Sequence, residues 1–224
     1  MIEVARQEYP DRDTLMRDLA ALVADQLRAA HATHGKATLA VPGGTTPGPF
    51  LSALSEADLP WPDVRVLPTD ERRVSEFSAR SNHRLIAETL IRNAAAGAEL
   101  IALHEPMVGS LEKRVQAVLP LDVLVLGMGA DMHTASLFPG APELAAALAP
   151  DAPVVLEITP PSQPEARLTL TAPVLRAASV IHILITGPDK LAALETALAD
   201  GPAEAAPVRA VLTAPCPVTV HYAA

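Results

Sequence analysis

The chain has 224 residues, half of them apolar, a formal charge of −9 and a single cysteine, Cys216. That length suits one large α/β domain over residues 1–224 with a full core. No apolar run approaches the ~20 residues of a membrane span, the acidic balance excludes a general nucleic-acid binder, which carries a basic face, and a lone cysteine excludes an internal disulfide and fits a reducing cytoplasm.

The segment from Met1 to Arg6 lacks the basic-then-apolar pattern of a secretory signal. A long amphipathic helix is expected over 13–34. Asp13 is placed to cap it, Leu15, Leu19, Leu22, Val23 and Leu27 share a face, and Gly35 ends it. His31 and His34 sit one turn apart near its C-terminal end, where two solvated imidazoles suit the helix dipole better than a metal pair. A buried strand over 37–41 then runs into Pro42-Gly43-Gly44-Thr45-Thr46-Pro47, with a helix beginning near Pro47. A strand, a Gly-Gly turn, hydroxyls and a helix start offer backbone N–H groups to an anion, or form only a tight turn. Neither a Walker loop nor the three-glycine dinucleotide pattern is present, so ATP and NAD gain little support.

The next strand is expected over 64–68, followed by Thr69-Asp70-Glu71-Arg72-Arg73-Val74, whose charges read as a solvated loop. Ser81-Asn82 caps a helix running through Leu85, Ile86, Leu90 and Ile91. Arg84 in its first turn runs against the dipole and hints at an anion. A strand over 99–103 and a helix over 111–119 precede the apolar run Leu121-Asp122-Val123-Leu124-Val125-Leu126, which breaks at Gly127 and Gly129. After a helix over 142–148, strands are expected over 153–158, 167–170 and 180–185. A proline-rich loop over 159–164 is placed to form part of a lid. Lys190, one of three lysines, opens a helix reaching about 199 and is either a ligand group or a surface side chain. Residues 218–222 alternate like an edge strand. This succession predicts a mostly parallel sheet with helices on both faces, a Rossmann-like three-layer sandwich with room for a small accessory lobe.

Chemistry concentrates in Asp131-Met132-His133-Thr134-Ala135-Ser136, just past the glycines that end the apolar run. In open α/β sheets ligands bind beyond the carboxyl ends of strands. His133 is the best general base, because a neutral imidazole takes a proton from water at physiological pH. Asp131 either fixes its tautomer or shapes the loop. Ser136 lacks the Gly-x-Ser-x-Gly elbow of a nucleophile and is expected to bond within its own loop. A zinc site at Asp131 and His133 lacks further ligands at recognisable spacing. His83, His104, His182 and His221 are read as structural.

Together, Pro42-Gly43-Gly44-Thr45-Thr46-Pro47, Asp70-Glu71-Arg72-Arg73-Val74 with Ser81-Asn82, Gly127 through Gly140, Arg167-Leu168-Thr169 and Gly187-Pro188-Asp189-Lys190 resemble the 6-phosphogluconolactonase family. That family belongs to the larger group of sugar-phosphate isomerase and deaminase folds. The segments follow in order over nearly the whole chain, and the string from His133 to Gly140 is the most specific. One departure is Met132, where the family usually has glycine. The resemblance implies hydrolysis of the cyclic ester of 6-phosphogluconate, with His133 activating water beside Asp131 and with no metal or organic cofactor. It places the substrate on Gly43, Gly44, Thr45, Thr46, Asp70, Arg72, Asn82, Arg167 and Lys190. It implies a cytoplasmic enzyme, a monomer or small homo-oligomer, whose partner is a small sugar-phosphate lactone rather than nucleic acid or a membrane.

A glucosamine-6-phosphate deaminase-like isomerase is the alternative. That pattern continues His-Ile-Ala-Phe-Asn-Glu-Pro where this chain has His133-Thr134-Ala135-Ser136-Leu137-Phe138-Pro139. A non-catalytic sugar-phosphate sensor is a third reading, although the chain before Ala37 has room for only one long helix rather than a DNA-binding extension.

Overall fold

The computed structural model describes residues 2–104, 108–161 and 163–224; Met1, and Ser162 within the expected 159–164 loop, lie outside the described residues. The chain opens with β1 (Ala5–Glu8) and α1 (Arg12–His34). Asp11 caps α1 by accepting the Thr14 N–H at 2.7 Å, so Asp13 stands in the first turn instead of at the cap. Gly35, at φ 72°, closes the helix with its N–H on the His31 carbonyl. Leu15, Leu19, Val23 and Leu27 are fully buried, whereas Leu22 points out from that face and is exposed. His31 faces Asp63 at 3.3 Å.

The remaining elements are β2 (Ala37–Val41), α2 (Gly48–Leu54), β3 (Val64–Pro68), β4 (Asp70–Arg72), α3 (Asn82–Thr89), β5 (Glu99–Leu100), α4 (Val108–Gln116), β6 (Val123–Gly127), α5 (Leu144–Leu148), β7 (Val155–Ile158), β8 (Arg167–Leu170), α6 (Ala172–Arg176), β9 (Val180–Thr186), α7 (Pro188–Leu198), α8 (Arg209–Leu212) and β10 (Val218–Ala223). Seven strands form one sheet in the order β1-β10-β9-β6-β2-β3-β5, and every pairing in it is parallel. The expected parallel three-layer fold is therefore the observed one. β10 differs from expectation: it lies inside the sheet, paired on both sides, because the unexpected β1 covers it.

Side-chain alternation along the central strands divides the core into two layers. Leu39, Val41, Val66, Val123 and Val125 pack against α1, α2 and α3. Ala40, Leu67, Leu124, Leu126, Ile181 and Ile183 face the other way, onto a cluster that includes residues of α4 to α8. Near-continuous apolar strands are what burial on both faces demands. Among the described residues, no helix is long and apolar enough to cross a membrane.

β4, β8 and β7 form a second, antiparallel sheet. It is tied to the main one beyond the ends of β2 and β3: the Thr69 N–H meets the Val41 carbonyl at 2.9 Å, and the Leu170 N–H meets the Thr69 carbonyl at 2.9 Å. In the main sheet β6 and β2 are neighbours, yet the chain leaves β2 for β3 on one side and β6 for β9 on the other. The crevice beyond such a reversal is where open α/β sheets take their ligands.

Candidate active site

Beyond β6 the loop folds back on itself. The Met132 N–H donates to the Gly129 carbonyl at 3.0 Å, and the Gly129 N–H donates to the His133 carbonyl at 2.9 Å. This tight turn brings the Asp131 carboxylate against its neighbour two residues on. Asp131 Oδ1 lies 2.5 Å from His133 Nδ1 and 3.2 Å from the His133 backbone N. A carboxylate only accepts, so Nδ1 carries a proton, and in the neutral imidazole the lone pair is on Nε2. Burial works against ionisation of Asp131, but its bonds to His133 outweigh this and hold its carboxyl below the usual range. Gly129 makes the approach possible: a Cβ there would sit 2.2 Å from His133 Nδ1 and 2.3 Å from Asp131 Oδ1. Met132 does adopt the left-handed conformation that glycine favours, at φ 65°, and Ala135 another at φ 48°. The Val208 N–H, donating to the Met132 carbonyl at 3.1 Å, helps to hold the turn in place.

Facing this dyad is a cavity of about 250 Å³ lined by Gly43, Gly44, Thr45, Thr46, Asp70, Arg72, Asn82, His133, Arg167 and Lys190. The residues expected to bind substrate thus all line one cavity, drawn from the loop after β2, from the small sheet, from the first residue of α3 and from the start of α7. Asp131 does not line the cavity; it lies behind His133, bonded to Nδ1. Gly44 takes φ 88°, and a Cβ on Gly43 would strike the Asn82 side chain at 1.9 Å. The amide of Asn82 donates to the Asp70 carbonyl at 2.8 Å, while its Oδ1 is buried without a partner among the described residues.

The small sheet supplies the cationic wall. Arg72 and Arg167 are direct partners in the antiparallel register of β4 and β8. Like charges placed opposite one another destabilise a sheet. Burial lowers the pKa of Arg167, and the Arg72 and Arg80 charges lower it further against the opposing pull of Asp70 and Glu71. Arg167 donates to Gln163 Oε1, Arg72 Nη1 donates to the Arg80 carbonyl at 2.6 Å, and the Nε of both guanidiniums is buried without a partner among the described residues. Two crowded guanidiniums with idle donors are arranged for an anion. Lys190 reaches in from the start of α7, donating to the Met128 carbonyl. Burial lowers its pKa, and the charge of Asp131 opposes that shift.

Three expectations need correction. The charged run after β3 is not solvated: Asp70 and Glu71 are buried. Glu71 sits at the N-terminus of α3, where its carboxylate accepts the backbone N–H groups of Arg72, Asn82 and His83 at 2.6, 2.9 and 2.7 Å. It also takes the Ser81 hydroxyl at 3.1 Å and meets His104 Nε2 at 3.0 Å. Ser136 bonds outside its own loop, donating its hydroxyl to Asp70 Oδ2 at 2.6 Å and its backbone N–H to Thr169 Oγ1 at 3.1 Å. Arg84 does not line the cavity; its guanidinium serves Glu88 one turn on and the Phe77 carbonyl. Phe138 and Gln163 also line the site and were not anticipated. Phe138 lies inside the string from His133 to Gly140 and Gln163 inside the proline-rich loop over 159–164, so the sequence marked both segments without marking either side chain.

The model of the glucosamine-6-phosphate isomerase/6-phosphogluconolactonase family matches residues 10–220. The chain is 46% identical over 215 residues to a 6-phosphogluconolactonase of Pseudomonas aeruginosa, covering 92% of this chain and 89% of that protein. It is 44% identical over 224 residues to one of Mesorhizobium japonicum, covering 96% and 93%. Its fold is similar to the crystal structure of a 6-phosphogluconolactonase from Shewanella baltica, with a TM-score of 0.97 over 100% of both chains and 33% identity. With the match running almost end to end, the chain belongs to the glucosamine-6-phosphate isomerase/6-phosphogluconolactonase family.

Proposed function

We propose that this protein hydrolyses 6-phosphogluconolactone to 6-phosphogluconate in the oxidative pentose phosphate route. The observation that carries this reading is the pairing, in one cavity, of a single oriented imidazole with two partner-poor guanidiniums. The phosphate is held by Arg72, Arg167, Lys190 and the loop over 43–46. Asp70 and the unpartnered Oδ1 of Asn82 accept from the sugar hydroxyls. His133 Nε2 takes a proton from a water, whose oxygen attacks the lactone carbonyl. When the tetrahedral intermediate collapses, the ester C–O bond breaks and the imidazolium returns its proton to the departing ring oxygen. Water is the only co-reactant. Asp131 holds the imidazole in one tautomer and stabilises its charged form. The enzyme works in the cytoplasm as a monomer or small homo-oligomer.

The deaminase chemistry needs additional acid/base groups to open a sugar and move a proton between carbons, and the pattern's Asn-Glu is replaced here by Leu137-Phe138. The test generates the lactone in place from glucose 6-phosphate, because it also opens unaided, and compares early rates with an enzyme-free control. Acceleration of lactone opening, with glucosamine 6-phosphate untouched, supports the proposal. Ammonia release from glucosamine 6-phosphate without lactone acceleration transfers the assignment to a deaminase. Binding of either sugar phosphate without turnover makes the protein a sensor.

A further inference from the structure

Phe138 is the one Phe, Tyr or Trp side chain among the described residues that line the cavity. Its ring lies on the imidazole of His133, with centroids 4.3 Å apart and planes inclined by 32°. On the same ring sits the Arg167 guanidinium, whose Cζ is 6.0 Å from the centroid. Phe138 itself is held firmly. It is 4% exposed and belongs to the core cluster with Met128, Leu137 and Ala141. One rigid ring therefore touches both the base and the anion-binding wall.

An imidazole held among the described residues by one ring bond, at Nδ1, can still swing out of its hydrogen bond to Asp131 by rotating about χ1 and χ2, and once out of it either ring nitrogen can carry the proton. A flat, immobile ring at van der Waals distance removes that freedom and keeps water off one imidazole face. Where the deaminase pattern has a carboxylate five residues after its histidine, this chain places that ring. We infer that Phe138 is a positioning residue: it fixes the plane of His133 and its distance from Arg167, so that Nε2 meets a lactone carbonyl whose far end the phosphate has anchored. This rests on the lactonase reading for its kinetic consequence, but the geometry it asserts for His133 does not.

The alternative is that Phe138 only fills core volume, in which case leucine would serve. Phe138→Leu is expected to lower kcat about tenfold or more while KM changes little, since misplacing a reacting group by an ångström can cost up to ~10²-fold. Phe138→Tyr, which keeps the ring, is expected to retain kcat within about threefold by the same reasoning. ¹⁵N spectra of histidine-labelled protein, with His133 assigned from the His133→Asn variant, supply a readout independent of turnover. Wild type and Phe138→Tyr should show one Nδ1-protonated tautomer, and Phe138→Leu a mixture. Should Phe138→Leu fail to fold, Phe138→Met gives the same comparison. Wild-type kcat in the leucine variant, equal losses in both variants, or an unchanged His133 tautomer would each overturn the inference. If wild type opens no lactone but the tautomer still responds to Phe138→Leu, the positioning role stands and the lactonase reading falls.

Discussion

In the proposed hydrolysis His133 carries the proton transfer, and its replacement separates chemistry from folding. His133→Asn should retain the far-ultraviolet circular dichroism of wild type and lose at least ~100-fold in turnover, the usual minimum for a general base. More than a tenth of wild-type activity would remove His133 from that role. Gly129→Ala should approach the same loss although it leaves the dyad's atoms in the chain, because its Cβ would occupy the space that His133 Nδ1 and Asp131 Oδ1 share. Met132→Gly should keep activity within a few-fold. The methionine already holds φ 65°, at a cost of roughly 1–2 kcal/mol for an L-residue in the left-handed region. Here the sequence was fully legible as to which residue departs from pattern. What it concealed is that the surrounding bonds, to Gly129 and Val208, force the methionine into glycine's conformation instead of reshaping the loop.

At the scale of elements, β2, β3, β6 and β9 were readable because burial on both faces makes a parallel strand almost wholly apolar. Two strands were not. β1 is exposed along its length and spells Ala-Arg-Gln-Glu, and β4 is three residues of charge. Without β1, β10 passed for an edge, and without β4 the carboxylate of Glu71 passed for solvent-facing. Charge is a poor guide at such a position, because the N–H groups at the start of α3 substitute for water around Glu71. Glu71→Ala should therefore lower stability by about 2–4 kcal/mol in urea unfolding, since several buried donors lose a charged acceptor at once. A change under about 0.5 kcal/mol, the size of an ordinary surface substitution, would mean that α3 is held by its apolar face alone.

Across the whole molecule, the pH dependence of stability should come largely from a pair of histidines that do not line the cavity. Between β9, β10 and α1, Tyr9 donates to His221 Nδ1 at 2.8 Å, His221 Nε2–H to His182 Nδ1 at 2.9 Å, and His182 Nε2–H to Gln26 Oε1 at 2.8 Å. Burial, with the neighbouring His221 charge, depresses His182 to about 3, and burial depresses His221 to about 4. Both values lie below the ordinary 6.5 of the unfolded chain, which therefore binds more protons as the solution acidifies. Their contribution is complete above pH 6.5 and declines as pH falls toward 3. The urea midpoint should drop steadily over that range, and less steeply in His221→Gln; equal slopes for the two proteins would dismiss the pair as the cause. The facing of Arg72 by Arg167 across β4 and β8 carries a different consequence. A phosphate dianion set between two such strands acts as a missing piece of the sheet, so occupancy and folding are thermodynamically linked. Inorganic phosphate alone should raise the melting temperature of the wild type with no turnover at all. Arg167→Met should melt higher than wild type in phosphate-free buffer, by the equivalent of about 1 kcal/mol once the like-charge pair across the strands is gone, and should no longer respond to the anion. The ligand-free enzyme would then be least stable at the strands it needs for recognition, and each phosphorylated molecule that binds, substrate or product, would complete its fold for as long as it stays.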